Sequence, residues 1–127
     1  MSKELKARLR RDLLRIWNQG EQDAIDELYA ADVVIHNAAP GSPAEIEGVK
    51  FTINGFRAAV PDLQFSLEKS MVDGDLVAYQ WSVTGTPQVE LPGMPAPGAK
   101  MTMSGLGMVR FADGKIAEIW TALFPSF

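Results

Sequence analysis

MTMSGLGMVRFADGKIAEIWTALF, residues 101–124, consists of two strand-like segments joined by a turn at Asp113-Gly114. A similar pair of segments occupies residues 63–86, with its turn at Asp73-Gly74-Asp75, and three helical patterns precede both pairs. Helices followed by a long antiparallel meander are typical of an α+β domain whose sheet packs against its helices. The order of these patterns therefore predicts an α+β fold in which the sheet curls over three N-terminal helices.

The three helices are predicted from apolar residues that recur every three or four positions. The first helix ends at Gly20, the second spans about residues 23–29, and the third runs from Gly48 to Val60. Between the last two helices, residues 33–36 are mostly β-branched, which predicts a short strand or an extended edge. The apolar positions of the first and third helices are Leu5, Leu9, Leu13, Ile16, Trp17, Val49, Ile53, Phe56 and Val60.

The strands show a period of two, but the two hairpins differ in how apolar their second face is. In the first hairpin, Tyr79 and Trp81 alternate with polar residues, so one face is apolar. In the final hairpin, Met103 and Val109 lie on one face while Leu106 and Met108 lie on the other. A strand that is apolar on both faces needs cover on both. We therefore expect a helix layer on one side of the sheet and a partner subunit on the other.

Length and charge limit the classes of function. The chain has 127 residues and a net charge of −4, which predicts one domain over residues 1–127 and gives no electrostatic basis for binding nucleic acid or an anionic membrane. It has no cysteine, which fits a reducing compartment such as the cytoplasm. The basic residues near the N-terminus alternate with apolar ones at helical spacing, so we predict neither a signal peptide nor a membrane span.

Several short motifs are distributed over essentially the whole chain. The C-terminal half contains Gly85-Thr86, the loop VELPGMPAPGAKM at residues 89–101, and the run from Asp113 to Trp120. The N-terminal half contains His36-Asn37 with Pro40-Gly41, and Phe56-Arg57 with the six residues after it. In their order and spacing, these motifs resemble the SnoaL-like polyketide cyclase family. The resemblance implies an NTF2-like cone, in which a strongly curved antiparallel sheet wraps around three helices. It also implies a deep apolar pocket, cofactor-free chemistry and a homodimer packed through the sheet.

Two positions depart from the family pattern. The resemblance implies a histidine after the Gly-Thr of the second strand, and an aspartate four residues after the tryptophan of the last strand. This chain has Pro87 and Phe124 at those positions. The family aspartate is the general base that removes a proton from a β-dicarbonyl compound before aldol closure. A phenyl ring accepts no proton, so the usual mechanism is missing from its usual positions.

Two other residues are candidates for acid–base chemistry. His36 is the only histidine and has an unperturbed pKa near neutrality, so it is a candidate acid or base at the pocket mouth. Its alternative interpretation is a histidine hydrogen-bonded at a strand end. Asp62 is a candidate pocket carboxylate whose pKa burial would raise. Its alternative is a turn or cap that ends the third helix.

Arg110 and Glu118 lie on the paired final strands, where a structural ion pair is the simplest interpretation. A functional interpretation is that Arg110 stabilises a developing enolate.

The remaining ligand-binding candidates are apolar, and the alternative for all of them is that they belong to the core. Trp120 and Phe124 share, by parity, the face on which the family places its base. These apolar candidates are Trp17, Phe56, Tyr79, Trp81, Met103, Trp120 and Phe124.

Metal and phosphate sites are not predicted. One histidine, no cysteine and scattered carboxylates give no metal-ligand set, and no glycine-rich phosphate loop follows a strand. The first functional hypothesis is a cyclase or isomerase, of the lyase or isomerase class, that acts by proton transfer on a small polyketide-like carbonyl compound. The alternative is a non-catalytic protein that binds a small hydrophobic molecule. A third interpretation is a structural dimerisation module with a filled core.

Overall fold

The computed structural model describes residues 2–38, 40–90 and 96–125, with the backbone alone at Ser2, Phe124 and Pro125. Three helices and five strands follow one another along the chain. The elements are α1 (Ser2–Gln19), α2 (Gln22–Leu28), β1 (Tyr29–Ile35), α3 (Glu45–Ala59), β2 (Gln64–Asp73), β3 (Leu76–Gly85), β4 (Met101–Ala112) and β5 (Lys115–Pro125). The α+β class predicted from the sequence is confirmed.

The five strands form one sheet in the order β1-β5-β4-β3-β2. The four long strands from β2 to β5 are antiparallel neighbours, as the meander predicts. β1 runs parallel to β5 and extends the sheet beyond the last strand, so the sheet is mixed. None of the described helices has both the length and the apolar character needed to cross a membrane.

Both hairpins turn on two residues, and glycine supplies a left-handed backbone in each. Asp113 and Gly114 have φ of 52° and 79°, the pattern of a type I′ turn. Gly74 has φ of 64° and is followed by Asp75, the pattern of a type II′ turn. Both turn types match the natural twist of the strands that they join, so the local sequence fixes the register of each hairpin.

Two β-bulges change the course of the sheet. Glu68 is the extra residue of β2, because Leu67 pairs with Trp81 while Lys69 pairs with Gln80. Ala117 is the extra residue of β5, opposite the step from Arg110 to Phe111. A bulge bends its strand and increases the local twist, and it also reverses which residue parity faces the core. The sheet therefore has a concave face toward the helices.

The core lies between this concave face and the three helices. Leu9, Leu13 and Ile16 of α1 are buried against apolar residues of the strands. Arg8 of the same helix holds the final hairpin, because its guanidinium donates to the carbonyl oxygens of Glu27 (2.9 Å) and Gly114 and lies 5.8 Å from the centre of the Phe111 ring. One cluster of buried residues thus joins helices and sheet.

Helix α1 also covers one edge of the sheet, strand β2. The Asn18 side chain accepts a hydrogen bond from the Phe65 N–H at 2.7 Å and donates one to the Phe65 carbonyl at 3.0 Å. Two residues further on, Arg10 donates to the Leu67 carbonyl at 2.7 Å. These contacts pair edge groups that would otherwise be open to another strand.

Candidate ligand-binding site

A cavity of about 250 Å³ lies between the helices and the concave face of the sheet. Its walls come from α1, α3 and all five strands, and most of the lining side chains are apolar. Thr52, Thr121 and Leu123 line the cavity and are also exposed to solvent. These three residues mark the mouth, between α3 and the end of β5.

One wall is a row of aromatic rings that crosses four elements. Trp17 of α1 stacks on Phe65 of β2, with ring centres 5.7 Å apart and an interplanar angle of 11°. It also meets Phe56 of α3 edge-on at 6.3 Å. Phe65 in turn stacks on Trp81 of β3 at 6.3 Å. Such a row presents flat apolar surface, which suits a planar or cyclic ligand.

The floor of the cavity depends on two glycines of β4. Gly105 lies opposite Trp81, and Gly107 lies opposite Tyr79. A Cβ atom on Gly107 would lie 2.4 Å from Cζ and 2.6 Å from the hydroxyl oxygen of Tyr79, and one on Gly105 would lie 2.5 Å from Cζ2 of Trp81. The two aromatic side chains of β3 therefore lie across the bare backbone of β4 and extend toward β5.

The most polar parts of the lining are two phenols. The chain has two tyrosines, Tyr29 and Tyr79, and both line the cavity. Burial raises the pKa of Tyr79 to about 12. Burial also raises the pKa of Tyr29, and the neighbouring Tyr79 adds to that rise. Both phenols are neutral hydrogen-bond donors at physiological pH, while no carboxylate, imidazole or cationic side chain lines the cavity among the described residues.

Sequence analysis missed Tyr29. The residue follows Ile25 and Leu28 at helical spacing, so the sequence pattern places it at the end of the second helix, residues 23–29. In the structure it is the first residue of β1, pairs with Ile116 of β5 and is 6% exposed. The β-branched residues that follow at 33–35 are the signal that could have moved the strand start back to this tyrosine.

Five of the residues predicted from the sequence to bind a ligand line the cavity. The backbone of Phe124 pairs with Ser104 at the end of β5, and its side chain lies outside the described part of the structure. The five lining residues are Trp17, Phe56, Tyr79, Trp81 and Met103.

Arg110 and Trp120 do not line the cavity. Ile119, Thr121 and Leu123 are the residues of β5 that line the cavity, and Trp120 alternates with them on the opposite face of the sheet. Since paired residues share a face, Arg110 lies on that opposite face with its partner Glu118. The expectation that Trp120 faces the pocket therefore differs from the structure.

These two residues instead form an outer-face cluster with His36 and Glu118. The Glu118 carboxylate accepts a hydrogen bond from Arg110 and lies 2.9 Å from Nε2 of His36. The His36 ring stacks on Trp120, with ring centres 4.5 Å apart. Hydrogen bonds from Arg110 and His36 hold the pKa of Glu118 below its usual range. The ion pair predicted between Arg110 and Glu118 is present.

Asp62 occupies a turn between α3 and β2 and is absent from the cavity lining. Its carboxylate accepts a hydrogen bond from the Thr86 N–H at 2.7 Å, which lowers its pKa. This contact ties the end of α3 to the end of β3, next to the buried Pro87. The structure thus places both acid–base candidates, His36 and Asp62, outside the cavity, and their catalytic role stays a prediction.

The described residues include no group of three or more histidine, aspartate or glutamate side chains arranged to hold a metal ion. The lining described above contains mostly carbon, phenol and indole groups, together with two threonines at the mouth. These groups can bind a molecule that is largely apolar and has few hydrogen-bond acceptors.

The fold is similar to those of known proteins. The family model for SnoaL-like polyketide cyclase matches residues 7–123. IdmH of Streptomyces antibioticus, a candidate polyketide cyclase, is 33% identical with a TM-score of 0.74, over 89% of this chain and 87% of that one. AclR of Streptomyces galilaeus, a candidate hydroxylase, is 28% identical with a TM-score of 0.78, over 96% of this chain and 90% of that one.

A third structure shows likeness of fold alone. TsrD of Streptomyces laurentii has a TM-score of 0.83 at 22% identity, over 94% of this chain and 87% of that one. These similarities confirm the NTF2-like arrangement of three helices and an open, curved sheet. No curated protein matches the chain at a significant level.

Proposed function

Because the chain belongs to the SnoaL-like polyketide cyclase family, we propose that it is a cofactor-independent cyclase or isomerase acting on a small polyketide-like carbonyl compound. The observation that supports this proposal is the cavity of about 250 Å³, which is apolar except for two neutral phenols and the polar groups near its mouth. An apolar cavity favours a hydrophobic substrate over a charged one, because a desolvated charge without a partner is costly.

The chemistry in this proposal is proton transfer next to a carbonyl group. Hydrogen-bond donors in a dry cavity stabilise the negative charge that develops on the oxygen as the adjacent C–H bond breaks. The walls hold a flexible substrate in a folded conformation, which lowers the entropic cost of ring closure. The described lining offers donors and no base, so solvent at the mouth accepts the proton.

Deuterium exchange at the α-carbon of a hydrophobic β-dicarbonyl compound tests this function. The probe is 2-acetyl-1-tetralone in D₂O, with exchange followed by NMR. Thr52→Trp places an indole ring at the mouth and narrows it. Phe51→Trp is the control, because it places an indole ring at a neighbouring exposed position of α3 that does not line the cavity. We expect the wild type and Phe51→Trp to accelerate exchange, and Thr52→Trp to lose most of the acceleration.

The acid–base candidates are tested in the same assay. His36 and Asp62 lie outside the cavity, so the alanine variants of both are expected to keep the acceleration. Loss of exchange in either variant, with unchanged affinity for the probe, would restore that residue as an acid or base. Loss of affinity together with loss of folded signal would show a structural role only.

The second candidate function is a binding protein without catalysis. It is favoured by the lack of a carboxylate or imidazole among the described lining residues. Calorimetry distinguishes the two functions, since a binding protein takes up the probe while exchange stays at the rate of buffer alone. Absence of both binding and exchange would contradict both candidates.

Association and location belong to the same proposal. We propose a homodimer packed through the outer face of the sheet, where Val34, Met71 and Leu106 are 48%, 73% and 52% exposed. An apolar patch that is exposed on one face of a sheet is typical of an interaction site. A cytoplasmic location is supported by the lack of cysteine.

A further inference from the structure

We propose that Tyr29 and Tyr79 form a two-donor site that binds one carbonyl or enolate oxygen of the ligand. The inference rests on the proposed function only in requiring that the cavity takes an apolar ligand. It adds the position at which the ligand oxygen is recognised, and it predicts that the phenols act as donors and not as a base.

The placement of the two tyrosines is the first argument. They come from β1 and β3, which are separated in the sheet by β5 and β4. Three strand spacings amount to roughly 14 Å, which two tyrosine side chains can span only by pointing toward each other. The ring of Tyr79 does so, because it lies across Gly107 of the next strand. Tyr29 lines the same cavity from the other side.

The second argument is that both hydroxyl groups are available. Within the described part of the chain, neither phenol oxygen forms a hydrogen bond with the protein. Every described side-chain nitrogen or oxygen that is fully buried does have a hydrogen-bond partner, so the two phenol oxygens are not fully buried. Both oxygens are therefore open to the cavity. Tyr79 also adds to the rise in the pKa of Tyr29, in line with the position of both side chains on the wall of one cavity. A ligand oxygen between them would satisfy both donors.

The lining defines the chemical class of the ligand. No cationic side chain of the described chain faces the cavity, so a carboxylate or phosphate would lose its hydration without gaining a partner. A ketone or β-dicarbonyl oxygen is neutral when it enters and becomes negative only as the reaction proceeds. Hydrogen bonds to a charged oxygen are stronger than those to a neutral one, so the two donors favour the enolate.

The proton-transfer step balances without a cofactor. The electron pair of the broken C–H bond forms the new C=C bond, and the carbonyl π electrons move to the oxygen. The released proton goes to solvent at the mouth. Both phenols keep their protons, because burial raises their pKa values far above neutrality.

Matched probes test the site without requiring turnover. The probes are 2-acetylnaphthalene and 2-ethylnaphthalene, which have nearly the same shape and differ in the carbonyl oxygen. Calorimetry gives Kd for the wild type, Tyr29→Phe, Tyr79→Phe and the double variant. We expect each single substitution to weaken ketone binding about two- to tenfold and to leave hydrocarbon binding unchanged.

The infrared carbonyl stretch of the bound ketone is the second readout. We expect a shift to lower wavenumber in the wild type, a smaller shift in each single variant, and none in the double variant. This measurement on the wild type alone tests the proposal, whatever the stability of the variants. Removing a hydroxyl group that makes no hydrogen bond to the protein is expected to leave the fold intact, which circular dichroism checks.

Five results would contradict the inference in whole or in part. Equal affinity for ketone and hydrocarbon, or an unshifted carbonyl band, would mean that no donor meets the oxygen. An effect of only one tyrosine would reduce the site to one donor. Full deuterium exchange in the double variant would separate the phenols from the chemistry while leaving the proposed function intact. Failure of both probes to bind would contradict the proposed function as well.

Discussion

The two tyrosines give a spectroscopic signal that comes from the cavity alone. Their pKa values are raised, that of Tyr79 to about 12. An unfolded tyrosine ionises near about pH 10. The burial of the neutral phenols therefore stabilises the folded protein fully below that pH, and this stabilisation is lost as the pH rises toward the pKa values of the folded state. We expect little tyrosinate absorbance at about pH 11 and a cooperative rise only as the protein unfolds. A gradual rise near about pH 10 in folded protein would contradict the buried placement of the phenols.

For Glu118 we predict the opposite pH dependence, in which stability is lost at acid pH. Its pKa is lowered by Arg110 first and by His36 second. A lowered folded pKa stabilises the protein above the unfolded value of about 4.3 and ceases to do so as the pH falls through the folded value. We expect Glu118→Gln to be less stable than wild type at neutral pH and to lose less stability on acidification.

Urea unfolding from neutral to acid pH measures this difference. Glu90→Gln, at an exposed glutamate outside the sheet, is the matched control and is expected to follow the wild type. Parallel pH profiles for wild type and Glu118→Gln would show that the outer-face cluster adds nothing to stability.

At the scale of elements, Asn18 of α1 replaces a neighbouring strand at the edge of β2. Its side chain pairs with both backbone groups of Phe65. We expect Asn18→Ala to lower the free energy of unfolding by about 1–3 kcal/mol, since two partly buried backbone groups lose their partners. Asn54→Ala removes an exposed pair of hydrogen bonds with Gln22, and we expect it to change the free energy of unfolding by less than about 0.5 kcal/mol. Equal effects in urea unfolding would contradict the edge-covering role of Asn18.

Two glycine-to-alanine substitutions are expected to have opposite signs. At Gly107 an added methyl group meets the ring of Tyr79, so we expect destabilisation of about 1–3 kcal/mol and weaker ketone binding. Gly55 of α3 has open space around its Cβ position, so alanine there is expected to stabilise the helix by about 0.5–1 kcal/mol. Thermal unfolding and calorimetry measure both effects. Tight ketone binding by Gly107→Ala would contradict the packing of Tyr79 over β4.

The sequence predicts the strands well but not the direction in which every residue points. Alternation identifies residues of β5 that share a face, and both of its faces contain apolar side chains. The pattern therefore did not reveal that Ile119 lies toward the helices and Trp120 away from them. In addition, the bulge at Ala117 reverses the alternation, so the residues of β5 that face the core before the bulge and after it differ in parity. The parallel pairing of β1 with β5 depends on long-range packing, which no local pattern encodes.

For the whole molecule, the order of the elements and the periodicity of the apolar residues predict the fold class, and the family resemblance predicts the cavity. The chemistry of the site was less predictable. The chemical type of His36 and Asp62 makes them candidates, but their positions depend on how loops pack against distant strands. The helical spacing of Tyr29 conceals the start of a strand, and its proposed role depends on Tyr79, a lining residue of the same cavity fifty positions further along the chain.

The proposed homodimer gives a prediction at this scale. The outer face has an apolar row in register, Met71, Ala78, Met108 and Trp120, beside the exposed Leu106. We expect sedimentation to show a dimer of the 13.9 kDa chain, and Leu106→Glu to give a monomer that still binds the ketone. Val89→Glu makes the same change at an exposed site outside the sheet and is expected to stay dimeric. A wild-type monomer would contradict the proposal.

The alternation of β5 also has an evolutionary consequence. Ile119, Thr121 and Leu123 line the cavity, whereas Glu118, Trp120 and Ala122 lie on the outer face. Neighbouring codons of one short segment thus specify two surfaces that never touch. Substitutions in a descendant of this protein can alter the compounds that the cavity accepts without altering the outer face, where we propose that the dimer forms, and the reverse. Only an insertion or deletion within the strand would change both inherited properties at once.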